Sequence, residues 1–357
     1  MPEDKTALVT HTNVADHAQP FPRPHLESFE NPLRIQMIAL YLQKTGVTES
    51  LSIVDGKSAN LEDTLSVHSS YLMDSVRIMS NLGGGQLGES AYASSELVLS
   101  ALQAVGGATQ AAQLIVEGKH PHAFALVRPP GHHATSSTAM GLCYFNNVAI
   151  AVRKAIENPN VNRVTIIDFD DHFGNGTSEI FYGEKNVQYI GLHEYDYENY
   201  GLGHFSEVGH GKGEGTNINI PLLEMSHDIS YKTAVDEIVK PAVKKFKPDL
   251  IAVSAGYDAH FSDPVGNMDV DSRTYWLLGS SIRKFVKDTP AKGSFWVLEG
   301  GYNPYALGPS VRASLEGLSG SAQQKLEDQI EREINERIVE ANQNVFDSVL
   351  EAHSPYW

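Results

Sequence analysis

Cysteine is almost missing: Cys143 is the single one in the chain. No internal disulfide can form, which leaves the redox compartment unconstrained, with an intracellular setting as the default expectation. Basic residues are outnumbered, 27 Lys and Arg against 44 Asp and Glu, for a formal net charge of −17. That excess speaks against nucleic acid as a partner and against an anionic membrane surface, and suits a cationic or neutral one. No apolar run approaches about 18 residues, the length of a membrane helix. The opening MPEDKTALVTHTN has no apolar segment of signal-peptide length. The expectation is a soluble, cytoplasmic protein. Internal repeats, low-complexity tracts and an obvious linker are lacking too, so the 357 residues are read as a single catalytic domain over 1–357. Its core covers about 20–310, and 321–357 form a C-terminal helix packed on it.

Apolar material is plentiful, 41% of the chain, which excludes general disorder. Five short apolar runs stand out: HAFALV (122–127), RVTIID (163–168), VQYIGLH (187–193), DLIAVSAG (249–256) and SFWVLEGG (294–301). Helical patterns lie over 32–45, 89–118, 144–157, 227–246 and 270–288. Strands alternating with helices predict an α/β fold, three layers (α/β/α) around a central, largely parallel sheet. Leu326, Ile330, Ile334, Ile338, Val345 and Val349 predict one long amphipathic helix over 323–350. This helix and the first 20 residues are candidate contacts for a homo-oligomer. Gly83, Gly85 and Gly88 match the G-x-G-x-x-G pattern, but the segment before them reads as a helix rather than a strand. A flexible loop is expected there, not a dinucleotide site.

Parallel sheets bind ligands beyond the carboxyl ends of their strands. After HAFALV comes RPPGHH with His132 and His133; after RVTII come Asp168, Asp170 and His172. After LIAVSAG comes Asp258, and after FWVLEGG comes Tyr302. Asp170 and His172 are two apart in an extended segment and can point the same way. With Asp258 they make a three-ligand set suited to a catalytic zinc, or to Fe(II), Co(II) or Mn(II); alternatively the two simply pair with each other. The His132–His133 pair suits acid–base work near neutral pH, with Asp168 and Asn175 as orienting partners. Tyr302, after two glycines, could donate to a developing oxyanion.

The segments RPPGHHA, GLCYFNNVAIA, DFDDHFGNGT, SAGYDAHFSDPVG and LEGGYN resemble the histone deacetylase family of the arginase/deacetylase fold. ENPLR, with Arg34, and VHSSYL are similar as well. SAGYDAH and LEGGY look closest to the class II branch, with prokaryotic deacetylases and acetylpolyamine amidohydrolases. The resemblance implies Asp170, His172 and Asp258 as Zn2+ ligands. It implies His133 as general base and then acid, His132 as its electrostatic companion, Asp168 holding His132, and Asn175 holding His133. Tyr302 would polarise the acetyl carbonyl, and Arg34 would sit in a channel for acetate release. Gly141 and Leu142 would line the acyl-lysine tunnel, where relatives often have an aromatic at the Leu142 position; Tyr200, Val265, Gly300 and Gly301 complete the substrate-binding set.

Three departures accompany it. Phe173 replaces the second histidine of the usual HHG, and Asp171 replaces a usually apolar residue. Gly191 stands where relatives often carry a serine near a bound potassium ion, so a structural K+ is not carried over. Tyr195, Tyr197 or Tyr200, in EYDYENYGLG, supplies the aromatic tunnel wall, with no basis for choosing among them. The implied reaction is metal-dependent hydrolysis of N-acetyl-lysine in a peptide or protein to lysine and acetate. Valine at 265, where some polyamine-selective relatives are acidic, weakly favours that substrate over a small acetylated polyamine or other acylated amine. An arginase-like two-manganese hydrolase and a catalytically silent acyl-lysine binding module are the competing readings.

Overall fold

The computed structural model describes residues 5–12, 15–18, 29–195 and 201–357. Among them, eight strands form one parallel sheet in the order β2-β1-β5-β10-β9-β6-β7-β8. They are β1 (Ala7–Thr10), β2 (Ser52–Asp55), β5 (His122–Ala125), β6 (Val164–Asp168), β7 (Val187–Glu194), β8 (Asn217–Leu222), β9 (Leu250–Ala255) and β10 (Ser294–Leu298). The four central strands β5, β10, β9 and β6 are the apolar runs whose ends carry the polar residues. Two further strands, β3 (Gly84–Gly88) and β4 (Ala91–Ser94), pair as an antiparallel hairpin.

Sheet strands covered on both faces read as unbroken apolar runs, and successive side chains enter opposite layers. In β10, Trp296 and Leu298 enter one core while Phe295 and Val297 enter the other; β9 splits the same way, Ile251, Val253 and Ala255 against Leu250 and Ala252. The first layer holds the buried faces of α1 (Leu33–Lys44), α6 (Asp228–Ala234), α7 (Lys240–Phe246), α8 (Ser272–Asp288), α9 (Pro304–Ser319) and α10 (Glu336–His353). The second holds α3 (Leu97–Val116), α4 (Asn147–Ile156) and α5 (Asn175–Phe181). Alanines 104, 108, 111 and 112 on α3 let that helix lie close to the sheet. The three-layer expectation therefore matches the architecture.

Three local expectations differ. The helical pattern over 89–118 begins with strand β4, and α3 starts only at Leu97. The glycine-rich stretch is strand β3, not a loop; it follows α2 (Ser70–Asn81) and packs with α2 and α3 as a third, smaller core. The C-terminal helix begins at Glu336, where the Asn335 side chain accepts from the Arg337 N–H at 3.1 Å. Residues 323–335 form no regular helix; Leu326 is buried, but Ile330 and Ile334 are exposed.

Candidate active site

The ends of β5, β6, β9 and β10 meet at one place. Asp168 closes β6, and its Oδ2 lies 3.2 Å from His132 Nδ1. The other ring nitrogen of His132 faces Asp170 Oδ1 at 3.6 Å. Burial alone would keep this ring neutral, but the Asp170 and Asp168 carboxylates outweigh it and raise the pKa to about 10. His132 is thus an imidazolium between two carboxylates.

His133 lies beside it, ring centroids 4.0 Å apart and planes tilted by 44°, but meets a different partner. Its Nδ1 donates to Asn175 Oδ1 at 2.7 Å, which leaves the lone pair on Nε2. Burial, reinforced by the charge on His132, holds His133 well below the usual imidazole range. Asn175 is positioned as the first residue of α5. Gly141 lies against the ring: a Cβ there would come within 2.4 Å of His133 Cδ2. Gly141 and Leu142 adopt left-handed φ values of 55° and 66°, and their N–H groups donate to Glu89 O and Ser90 O at 2.9 Å each. The hairpin thus fixes the segment that borders His133.

Asp170, His172 and Asp258 place one potential ligand atom each within 4.8 Å of one another. His172 Nδ1 faces Asp170 Oδ1 and Asp258 Oδ2, each at 3.3 Å. Asp258 Oδ2 is buried with no hydrogen-bond partner. A buried carboxylate oxygen that accepts no hydrogen bond is costly unless a nearby cation compensates it. The space around the trio is kept open by glycine: a Cβ on Gly300 would sit 2.0 Å from Asp258 Oδ2, and one on Gly256 would sit 2.1 Å from Asp170 Oδ2. The Gly300 N–H also donates to Asp170 Oδ2 at 2.8 Å. Two carboxylates and an imidazole, without thiolate, fit a borderline divalent metal.

Tyr302 follows at the end of β10. The Arg34 guanidinium lies over its ring at 4.7 Å, while Arg34 Nε donates to Gly301 O at 2.7 Å. Burial pushes the Tyr302 phenol well above its ordinary value, against the opposing charge of Arg34. Arg34 is itself balanced by Glu30, which Arg128 grips with two nitrogens at 2.8 and 2.6 Å. Val265 is half-buried in the loop between β9 and α8, its N–H bonded to Asp263 Oδ1 at 3.1 Å. Gly191 lies under the Tyr189 hydroxyl, 2.8 Å from where its Cβ would be. Phe173 packs on His193 with ring centroids 4.8 Å apart. Asp171 is fully buried, its Oδ1 unpartnered. Tyr195 is half-buried and donates to Gly201 O at 3.2 Å. Tyr197 and Tyr200 lie outside the described residues.

Two carboxyl groups at the site escaped the sequence reading. Glu299 is fully buried at the end of β10, and its Oε2 accepts from the N–H groups of Gly131 and His132 at 2.6 and 3.1 Å. Burial pushes it up to about 7, against the charge on His132. Its signal was its place directly after an apolar strand. Asp263 Oδ2 accepts from the N–H groups of Tyr302 and Asn303 at 2.7 and 3.0 Å. Nothing in its surface-like surroundings, FSDPVG, distinguished it.

Comparison with known proteins agrees with this geometry. The Histone deacetylase domain matches residues 28–318. The chain belongs to the histone deacetylase family. It is 37% identical over 284 residues to Histone deacetylase 14, chloroplastic, of Arabidopsis thaliana, covering 76% of this chain and 67% of that protein. It is 34% identical to a probable deacetylase of Archaeoglobus fulgidus, covering 99% of this chain and 98% of the other. Among solved structures, the HDA15 HD domain superposes with a TM-score of 0.87 at 30% identity, covering 99% and 95% of the two chains. This histone deacetylase family member is thus a hydrolase of acetylated amides on the arginase/deacetylase fold. No helix among the described residues is long and apolar enough to cross a membrane.

Proposed function

We propose that this deacetylase removes the acetyl group from N-acetyl-lysine in peptides or proteins, as a single catalytic domain with zinc held by Asp170, His172 and Asp258. The observation that carries this reading is the placement of His133: its Nδ1 is held by Asn175 at 2.7 Å, which leaves Nε2 free beside the carboxylate–imidazole trio. Bound zinc supplies Lewis acidity toward the acyl carbonyl and toward water. His133 accepts the water proton at Nε2. The charge on His132, only 4.0 Å away, makes the resulting imidazolium a stronger acid, so His133 then passes that proton to the leaving amine. Tyr302 keeps its phenolic proton and donates a hydrogen bond to the developing oxyanion. Gly141 and Leu142 border the acyl chain, and Gly300 and Gly301 leave room for it. The apolar Val265 supports a lysine side chain over a polyamine, since a second cationic amine would find no carboxylate at that position.

The test is turnover of the zinc-loaded protein on an acetyl-lysine peptide and on an N-acetylated polyamine, each with a chelator control. Chelator-sensitive cleavage that favours the peptide is expected. Preference for the polyamine would move the activity to small amines and overturn the reading of Val265. Binding of the peptide with no turnover on either substrate would make the chain a silent acyl-lysine module.

A further inference from the structure

The family match ends at residue 318, yet the segment beyond it returns to the site. We infer that Asp328, in this segment, is a positioning residue for Tyr302 and acts through His260, Ser262 and Asn303. The inference rests on the proposed role of Tyr302 in deacetylation.

Every link of the connection is hydrogen-bonded, and the donors can be assigned. His260 Nδ1 accepts from the Ser262 N–H at 3.2 Å, so the ring proton is on Nε2. Nε2–H then donates to Asp328 Oδ2 at 3.2 Å. The Ser262 hydroxyl, 2.9 Å from His260 Nδ1, donates its proton there as well. Asn303 Nδ2 donates to both Ser262 O and Ser262 Oγ at 2.8 Å each. The remaining amide oxygen, Asn303 Oδ1, accepts from the Tyr305 N–H at 2.9 Å and caps α9. Each polar atom of the Asn303 side chain is therefore used, and its orientation follows from Ser262. From the other side, Asp263 Oδ2 binds the backbone N–H groups of Tyr302 and Asn303.

The far end of the relay is as firmly held. Asp328 accepts from the Ser272 N–H and hydroxyl, both at 2.8 Å, at the start of α8. Four residues on, Arg332 bonds Asp271 Oδ2 at 2.8 Å and Asp269 O at 3.1 Å, and its guanidinium lies 4.7 Å over the Phe261 ring. The segment thus clamps both ends of the loop from His260 to Asp271. His260 is 1% exposed, so water does not replace a lost partner easily. A phenol that must meet a developing oxyanion tolerates little displacement, and a shift of about 1 Å can cost up to about a hundredfold in rate.

Two substitutions test this: Asp328→Ala, and Ser262→Ala, which removes the hydroxyl links of the relay without touching the cap on α8. Each is made in the wild type and in a Tyr302→Phe background. Both should lower kcat about tenfold on an acetyl-lysine peptide with KM within about twofold. Neither should lower it further when Tyr302 is already phenylalanine, and Asp328→Asn should recover most of the loss because it keeps an acceptor for His260. Equal losses in the two backgrounds would overturn the inference. An activity-independent readout is the 19F resonance of Tyr302 in protein labelled with 3-fluorotyrosine, assigned by its disappearance in Tyr302→Phe. It should shift or broaden in Ser262→Ala and Asp328→Ala. An unmoved resonance overturns the inference whatever the turnover. A wild type without turnover, by contrast, removes the deacetylase reading and leaves the 19F spectrum to decide the role of Asp328.

Discussion

His132 and His133 are adjacent in the chain and chemically identical, yet they differ in charge because they meet different partners. His132 has carboxylates at both nitrogens; His133 has an amide oxygen at one and an open side at the other. The consequence is a pH dependence with a definite sign. A base must be neutral to accept a proton, so kcat/KM falls as pH drops through the pKa of His133, below the ordinary value of about 6.5. Removing the neighbouring charge in His132→Asn should lift that pKa and move the acid limb to higher pH, read from a kcat/KM profile against pH. An unmoved limb would show that burial alone sets the value. At this scale the sequence was informative wherever chemistry clustered at strand ends: the two histidines, Asp170, His172 and Asp258 come together where their spacing placed them. Glu299 and Asp263 were hidden because their task is to receive backbone N–H groups, which leaves no signature in residue type or spacing.

The elements that position the site were legible for one physical reason. A strand buried on both faces needs a predominantly apolar run, and β5, β6, β7, β9 and β10 lie in one. β8 was not found because Asn217, Asn219 and Pro221 interrupt NINIPL; Asn217 and Asn219 are buried but bonded to neighbouring segments such as Glu207 and His204. β1 and β2 are four residues each and, unlike β5, whose run continues through Leu126 and Val127, lie in no longer apolar run. The long C-terminal helix was overread. Ile330 and Ile334 keep helical spacing with Ile338, but the polar anchors Asp328 and Arg332 tie that stretch in an irregular path to the start of α8, and the helix waits for the Asn335 cap. Helix α10 itself buries Phe346 and Val349 in the same core as Ile220 and Leu222 of β8. Phe346→Ala should cost about 3–5 kcal/mol of stability, seen as a lower midpoint in urea denaturation. Because α10 lies away from the four converging strand ends, metal affinity of the folded variant should not change.

Over the whole molecule, buried neutral histidines couple stability to pH. Burial holds His17, His68, His122, His193 and His353 down to about 4. Between the unfolded value near 6.5 and that folded value, the unfolded chain binds protons that the native one does not, so stability falls as pH is lowered through this window. Each such group contributes a slope of up to about 1.4 kcal/mol per pH unit. Melting temperature should therefore drop steeply from pH 6.5 to 4.5. His122→Asn should flatten the drop in proportion, since His122 makes one side-chain bond, to Ser294 at 2.8 Å. A melting temperature level across this range would overturn the assignment of neutral, poorly protonated rings.

The strand order has a consequence for how such a molecule is made. β10 is the last strand of the chain, yet it occupies the middle of the sheet, hydrogen-bonded to β5 on one side and β9 on the other. A nascent chain emerging from the ribosome can assemble β2-β1-β5 and β9-β6-β7-β8 as two separate half-sheets, but their seam stays open until residues 294–298 arrive. Glu299, Gly300 and Tyr302 come with the strand that closes it. The His132–His133 turn therefore lacks its Glu299 clamp, and Asp170 its Gly300 donor, until residues 299 and 300 have emerged. The proposed metal loading and activity therefore wait for β10, and a chain that stops before Ser294 leaves two half-sheets with no strand to join them.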